Sequence, residues 1–127
     1  MNRFNYLSAA LTATMICASS TVAHAQTDKY PTKSVRMIVP FAPGGGTDIT
    51  ARSLAVFLEK ELGATIVVQN KPGASSAIAL SYVARAKPDG YTLAMTNMPG
   101  LVSLPIERKA GFTTADFTYL ANLVRDP

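Results

Sequence analysis

Three short apolar runs, Ser34-Val35-Arg36-Met37-Ile38-Val39, Thr65-Ile66-Val67-Val68-Gln69-Asn70 and Tyr91-Thr92-Leu93-Ala94-Met95, are separated by two stretches of helical periodicity. This alternation constrains the fold more than any other feature of the chain. The runs are rich in β-branched residues and are bounded by proline and glycine, as strands are. Between the first two, Ala51, Leu54, Ala55, Leu58 and Leu62 recur at steps of three and four. That spacing predicts a helix from Asp48 to Leu62, with Gly63 as its C-terminal cap. Between the second and third, Ser75 or Ser76 can cap a helix whose inner face is Ile78, Ala79, Tyr82, Val83 and Ala86. Lys87-Pro88-Asp89-Gly90 is a turn. A β-α-β-α-β order with short connections predicts a parallel, right-handed α/β sheet. Beyond Met95, Pro99-Gly100 and Pro105 break the pattern, so only a short helix near Leu101–Leu104 is expected. Asp116-Phe117-Thr118-Tyr119-Leu120-Ala121-Asn122-Leu123-Val124 reads as a further strand, and Tyr82, Phe112, Phe117 and Tyr119 as core aromatics.

The first 25 residues stand apart. A short basic start (Arg3), an apolar run around Leu7–Ala18 and the small-residue end Ala23-His24-Ala25 follow the plan of a secretory signal peptide cleaved after Ala25. The run is too short and too interrupted by Ser and Thr to span a membrane well. Residues 26–127 then form one α/β lobe, destined for the periplasm. The single cysteine, Cys17, and the single histidine, His24, both lie in the leader. The remaining chain needs no disulfide and has neither a His-based triad nor the usual zinc ligands. The formal charge of +4 falls by one with Arg3. The cations are scattered without interleaved aromatics, which argues against nucleic-acid binding.

Ligands of parallel α/β sheets sit at the carboxyl ends of the strands. Three loops qualify: Phe41–Thr47, Lys71–Ser76 and Thr96–Pro99. The first two run into helix N-termini, where unpaired amides and the helix dipole favour an anion. Gly44-Gly45-Gly46 lets the backbone come close to such a ligand. Nucleotide loops fail on spacing: Thr47-Asp48 stands where a phosphate loop needs Lys-Ser/Thr, and Ile49 where a dinucleotide fingerprint needs a small residue. Asp48 has two readings, a first-turn acid that stabilises the helix or a carboxylate that accepts bonds from a ligand's ammonium or hydroxyl. Ser75 and Ser76 serve equally as caps or ligand contacts. Thr96 and Asn97 can donate to an anion or simply solvate a strand end, and Phe41 can wall a cleft or pack on the helix. No nucleophile–base pair can be assembled and no paired carboxylates stand out, so binding without catalysis, cofactor or metal is expected. Four charge-assisted bonds would give a gross gain of about 6–12 kcal/mol before desolvation and lost ligand freedom are subtracted.

Several motifs together carry a resemblance. Tyr30-Pro31, Val39-Pro40-Phe41-Ala42-Pro43-Gly44-Gly45-Gly46-Thr47-Asp48, Val68-Gln69-Asn70-Lys71-Pro72-Gly73-Ala74 and Pro88-Asp89-Gly90-Tyr91-Thr92-Leu93 are similar to the start of the extracytoplasmic solute receptors of tripartite tricarboxylate transporters, the Bordetella uptake-protein type. The resemblance implies a type II periplasmic-binding-protein fold, two α/β domains closing over a small carboxylate, and delivery to a membrane permease of one large and one small subunit. It implies ligands such as di- and tricarboxylates, acidic amino acids or aromatic acids. The family's ligand-binding positions fall on Phe41, Ala42, Gly45, Gly46, Thr47 and Asp48, on Ala74, Ser75 and Ser76, and on Thr96 and Asn97. The sequence departs from the family in two ways. Gly73-Ala74-Ser75-Ser76 stands where the family has Gly-Ala-Gly-Gly, which implies a narrower pocket or a different ligand. Members also run to about 300 residues, roughly two domains, so the chain reads as a truncated first lobe without the second domain. A ligand-sensing or partner-binding lobe, or a non-functional truncated fragment, is the alternative reading.

Overall fold

The computed structural model describes residues 29–107 and 109–125. The expected signal peptide, with Cys17 and His24, lies outside the described residues. Strand β1 (Val35–Val39) is followed by helix α1 (Gly46–Leu62), strand β2 (Ile66–Asn70), helix α2 (Ala77–Ala84), strand β3 (Thr92–Ala94) and helix α3 (Met98–Glu107). The sheet is parallel with strand order β2-β1-β3. Val35 pairs with Ile66 and Val39 with Asn70, while Met37 pairs with Leu93. All three strands therefore end at one edge, as the β-α-β-α-β reading requires.

Successive strand residues point to opposite faces. Val35, Met37 and Val39 face α1, whose Ala51 and Ala55 are small enough to lie close against the sheet. Leu54, Leu58 and Leu62 complete this layer, the face the three-and-four spacing marks. Gly63 ends α1 in the left-handed conformation (φ +66°), and its N–H donates to the Glu59 carbonyl at 2.9 Å. The other face of the sheet, with fully buried Ile38, receives α2. A second apolar cluster joins α2 to α3 through Leu80, Leu101, Leu104, Ala110 and Phe112.

The inner face of α2 differs from the expected one. Ile78 is exposed, and Tyr82, Val83 and Ala86 are half-buried, whereas the consecutive Ala79, Leu80 and Ser81 are buried. The helix is covered on two sides, by the sheet and by α3, so a single-stripe rule cannot find its inward residues. The expected serine cap is also absent. Ser76 occupies the N-cap position at φ +84° and makes no side-chain cap bond, because capping needs an extended backbone at that residue.

Helix α3 is much longer than the Leu101–Leu104 turn expected. Pro99 and Gly100 lie in its first turn, where a proline costs no intrahelical hydrogen bond. Pro105 lies in its last turn. The expected strand over Asp116–Val124 is not formed among the described residues. A 3-10 turn spans Thr114–Asp116, and residues 117–125 have no ladder partner. An apolar run is a strand only when another strand accepts its backbone groups, and here none does. Phe112 is buried and meets half-buried Phe117 edge-on at 5.7 Å, whereas Tyr119 is exposed.

Two of the sequence motifs prove to be one clasp. The Tyr30 hydroxyl donates to the Gly90 carbonyl at 2.8 Å, and its ring packs on Tyr91 at 5.0 Å. Gly90 has φ +80°, and a side chain there would meet the Tyr30 ring at 3.2 Å. The turn before β3 is thereby tied to the segment entering β1.

Candidate ligand-binding site

The loop after β1 is held from below by Asp48. This residue is 2% exposed, and its oxygens are taken up within the protein. The Gly44 N–H donates to its Oδ2 at 2.8 Å, Arg52 Nε donates to the same oxygen at 3.0 Å, and Asn70 Nδ2 donates to Oδ1 at 2.8 Å. The Arg52 guanidinium, then the Gly44 amide and then the Asn70 amide hold the carboxyl at about 2, below its ordinary 3.8. Of the two readings of Asp48, the geometry supports the stabilising acid: its carboxylate binds loop and strand and shows almost no surface to solvent. Asn70, at the end of β2, extends the arrangement. Its Nδ2 also donates to the Phe41 carbonyl at 3.0 Å, and its Oδ1 accepts from Arg52 at 2.9 Å.

This bonding divides the glycine amides. Gly44 is spent on Asp48, and the Gly45 N–H points to the Ala42 carbonyl at 3.5 Å. The first intrahelical bond is Ile49 N–H to the Gly45 carbonyl. That leaves the amides of Gly46, Thr47 and Asp48 at the mouth of α1 without a backbone acceptor, as the first turn of a helix requires. The amides left open at this edge therefore belong to Gly46–Asp48, not to the three glycines together.

The loop after β2 is strained. Gly73 at φ +130° is followed by Ala74, Ser75 and Ser76 at φ +46°, +54° and +84°. Non-glycine residues in this region cost on the order of 1–3 kcal/mol each and persist where the surroundings impose them, often at ligand sites. Ser76 is 3% exposed. Among the described residues, Thr96 Oγ1 after β3 is the one buried side-chain polar atom without a hydrogen-bond partner.

A groove of about 330 Å³ opens at this edge, lined by Phe41, Ser75, Ser76 and Asn97 together with Ser103 and Glu107 of α3. Four of the expected site residues thus meet in one place, one or more from each loop. Ala42, Gly45, Gly46 and Ala74 are exposed at the same edge, with Thr47 and Thr96 half-buried, but none of these lines the groove. The sequence reading missed Ser103 and Glu107 because it treated Pro99-Gly100 as a break. The missed signal was Asn97 followed by a first-turn proline, a helix-start pattern; Asn97 Oδ1 accepts the Gly100 N–H at 3.4 Å. A larger hollow of about 640 Å³, with Lys33, Arg36, Arg85 and Lys87, lies at the opposite edge, where the strands begin. Ligands of parallel sheets sit where the strands end, and the smaller groove is there. Among the described residues no group of three or more His, Cys, Asp or Glu could hold a metal ion, and no helix is long and apolar enough to cross a membrane.

The family model named "Tripartite tricarboxylate transporter family receptor" matches residues 50–127. A UPF0065 protein of Bordetella pertussis is 39% identical over 83% of this chain and 32% of its own length. A solved "periplasmic transporter" is 45% identical, with a TM-score of 0.64 over 67% of this chain and 29% of the other. An R. palustris protein solved with adipate is 39% identical, with a TM-score of 0.59 over 68% of this chain and 29% of the other. The chain spans about a third of the length of the curated relatives it matches.

Proposed function

This chain belongs to the tripartite tricarboxylate transporter receptor family, and we propose that it forms the first ligand-gripping lobe of a periplasmic solute receptor. The ligand is a small carboxylate. The loops after β1, β2 and β3 hold its acid group through amides and hydroxyls, and a second domain of the kind its longer relatives have room for closes over it. Delivery is to the two membrane subunits of a tripartite permease. Binding without turnover is the role.

The observation that carries this reading is the groove at the strand ends. It joins residues of all three loops, it carries the Ser75 and Ser76 side chains and Asn97, and no Lys or Arg lines it. Neutral donors in a shaped, half-dry site can hold an acid group without a counter-cation, as oriented amides do at helix N-termini. The adipate carried by one structural relative fits the same class. Asp48 and Asn70 position the first loop from behind, and Gly46, Thr47 and Asp48 supply its amides.

The test is a thermal-shift and calorimetric screen of the chain, without its first 25 residues, against single mono-, di- and tricarboxylates including adipate. A ligand at about five times its Kd adds about 1 kcal/mol, which raises the melting temperature of a domain this size by about 4–8 °C. At least one acid should do so saturably, and Ser76→Val with Asn97→Leu should remove the effect. A folded chain that responds to none of them overturns the proposal.

A further inference from the structure

We propose that Glu107 makes this groove selective for acids whose far end carries a hydrogen-bond donor, an ammonium or a hydroxyl, over dicarboxylates. The inference rests on the carboxylate-binding reading above and narrows its ligand class.

Glu107 is the one charged residue among those lining the groove. Among the described residues it has no ion pair: the single salt bridge there joins Arg52 to Asp48. It is the last residue of α3, where the negative end of the helix dipole disfavours a carboxylate. A carboxylate kept there, unpaired and turned to a groove, lacks the partner that would offset that cost. Ser103 lies one helical turn before it on the same lined face. With Asp48 turned inward and bonded, Glu107 is the acid available to a ligand.

The groove is polarised along α3. At one end Ser76 stands against Gly100, its Oγ 3.4 Å from where a side chain on that glycine would begin. Ser75 and Asn97 share this end, which offers hydroxyl and amide donors and no negative charge. Glu107 lies seven residues further on, about 10 Å along the helix axis, and helical side chains tilt back toward the N-terminus. An acid group seated at Ser76 therefore places the other end of a ligand about five or six carbons long near the Glu107 carboxylate. A second carboxylate there meets a like charge, with no Lys or Arg among the residues lining the groove. An ammonium gains a charge-assisted bond, and a hydroxyl a single hydrogen bond.

The experiment compares three acids of one chain length by calorimetry on the same chain: adipate, its analogue with one carboxylate replaced by a terminal amine, and the terminal-alcohol analogue. The amino acid should bind at least tenfold more tightly than adipate at low salt, with the hydroxy acid between. In Glu107→Gln the amino acid should weaken and adipate strengthen until they differ by less than threefold. Glu107 is exposed, so that variant keeps the fold, and its melting temperature without ligand checks this. Adipate binding tightest to the unaltered chain, or an ammonium preference that survives Glu107→Gln, overturns this inference and leaves the carboxylate-binding reading intact. Failure of a folded chain to bind any of the three acids overturns this inference, while a response to some other carboxylate in the wider screen would keep the broader reading.

Discussion

Removing the Asn70 side chain tests whether the first ligand loop is held from behind. In Asn70→Ala three hydrogen bonds disappear: to the Phe41 carbonyl at 3.0 Å, to the Asp48 carboxylate at 2.8 Å and from Arg52 at 2.9 Å. A neutral bond of the first kind contributes about 0.5–1.5 kcal/mol and a bond to a charged group about 1.5–3. The Arg52 bond is solvent-exposed and adds little. Asn70 itself is only half-buried, so water recovers part of what is lost, and a net loss of about 2–3 kcal/mol is expected. Urea denaturation of the variant and of the unaltered chain measures it. The slope should stay constant while the midpoint falls. Amide exchange should separately show Gly44 losing protection, since its N–H depends on Asp48 being held in place. An exposed control, Lys60→Ala, should stay within about 0.5 kcal/mol of the original. A loss below about 0.5 kcal/mol in Asn70→Ala, with Gly44 still protected, would refute the idea that the end of β2 organises the glycine loop.

Two further outcomes follow from the same loops. The Asp48 carboxyl is held at about 2 from an ordinary 3.8. A depressed carboxyl contributes stability that is complete above its unfolded value and is lost as pH falls through the folded one. The stability advantage of the original chain over Asp48→Asn should be constant above about pH 5 and shrink toward pH 2, as thermal melts across that window will show. Gly73→Ala places a Cβ 2.7 Å from Ile78 Cδ1 at a residue with φ +130°. It should cost about 1–3 kcal/mol, of which Ile78→Ala in the same chain recovers only the steric part, because the backbone strain remains; urea melts of the single and double variants separate the two.

Legibility varied with the kind of information each feature needs. Helix α1 could be read to within two residues because Ala51, Leu54, Ala55, Leu58 and Leu62 form one stripe against one surface. Helix α2 could be located but not oriented, since Leu80 is buried against Leu101 and Leu104 of α3, a helix longer than the sequence suggests, and Ser81 donates to the Ala110 carbonyl beyond it. The apolar run after Asp116 has the composition of a strand and no neighbour to pair with. The site shows the same division. Phe41, Ser75, Ser76 and Asn97 were legible as loop residues at strand ends, and they meet in the groove. Glu107 was not, because its place depends on the length and direction of α3.

The sequence by itself determined the order of elements, the parallel sheet and the edge at which a ligand would sit. Those follow from periodicity and from short connections, which act between residues near in the chain. The tertiary structure decided which groups are free to act. Asp48 and the Gly44 amide satisfy one another with help from Asn70, 22 residues from Asp48, whereas the Thr96 Oγ1 is buried without a partner among the described residues. Whether a polar group is spent or available depends on what lies across from it in space, and no local pattern records that.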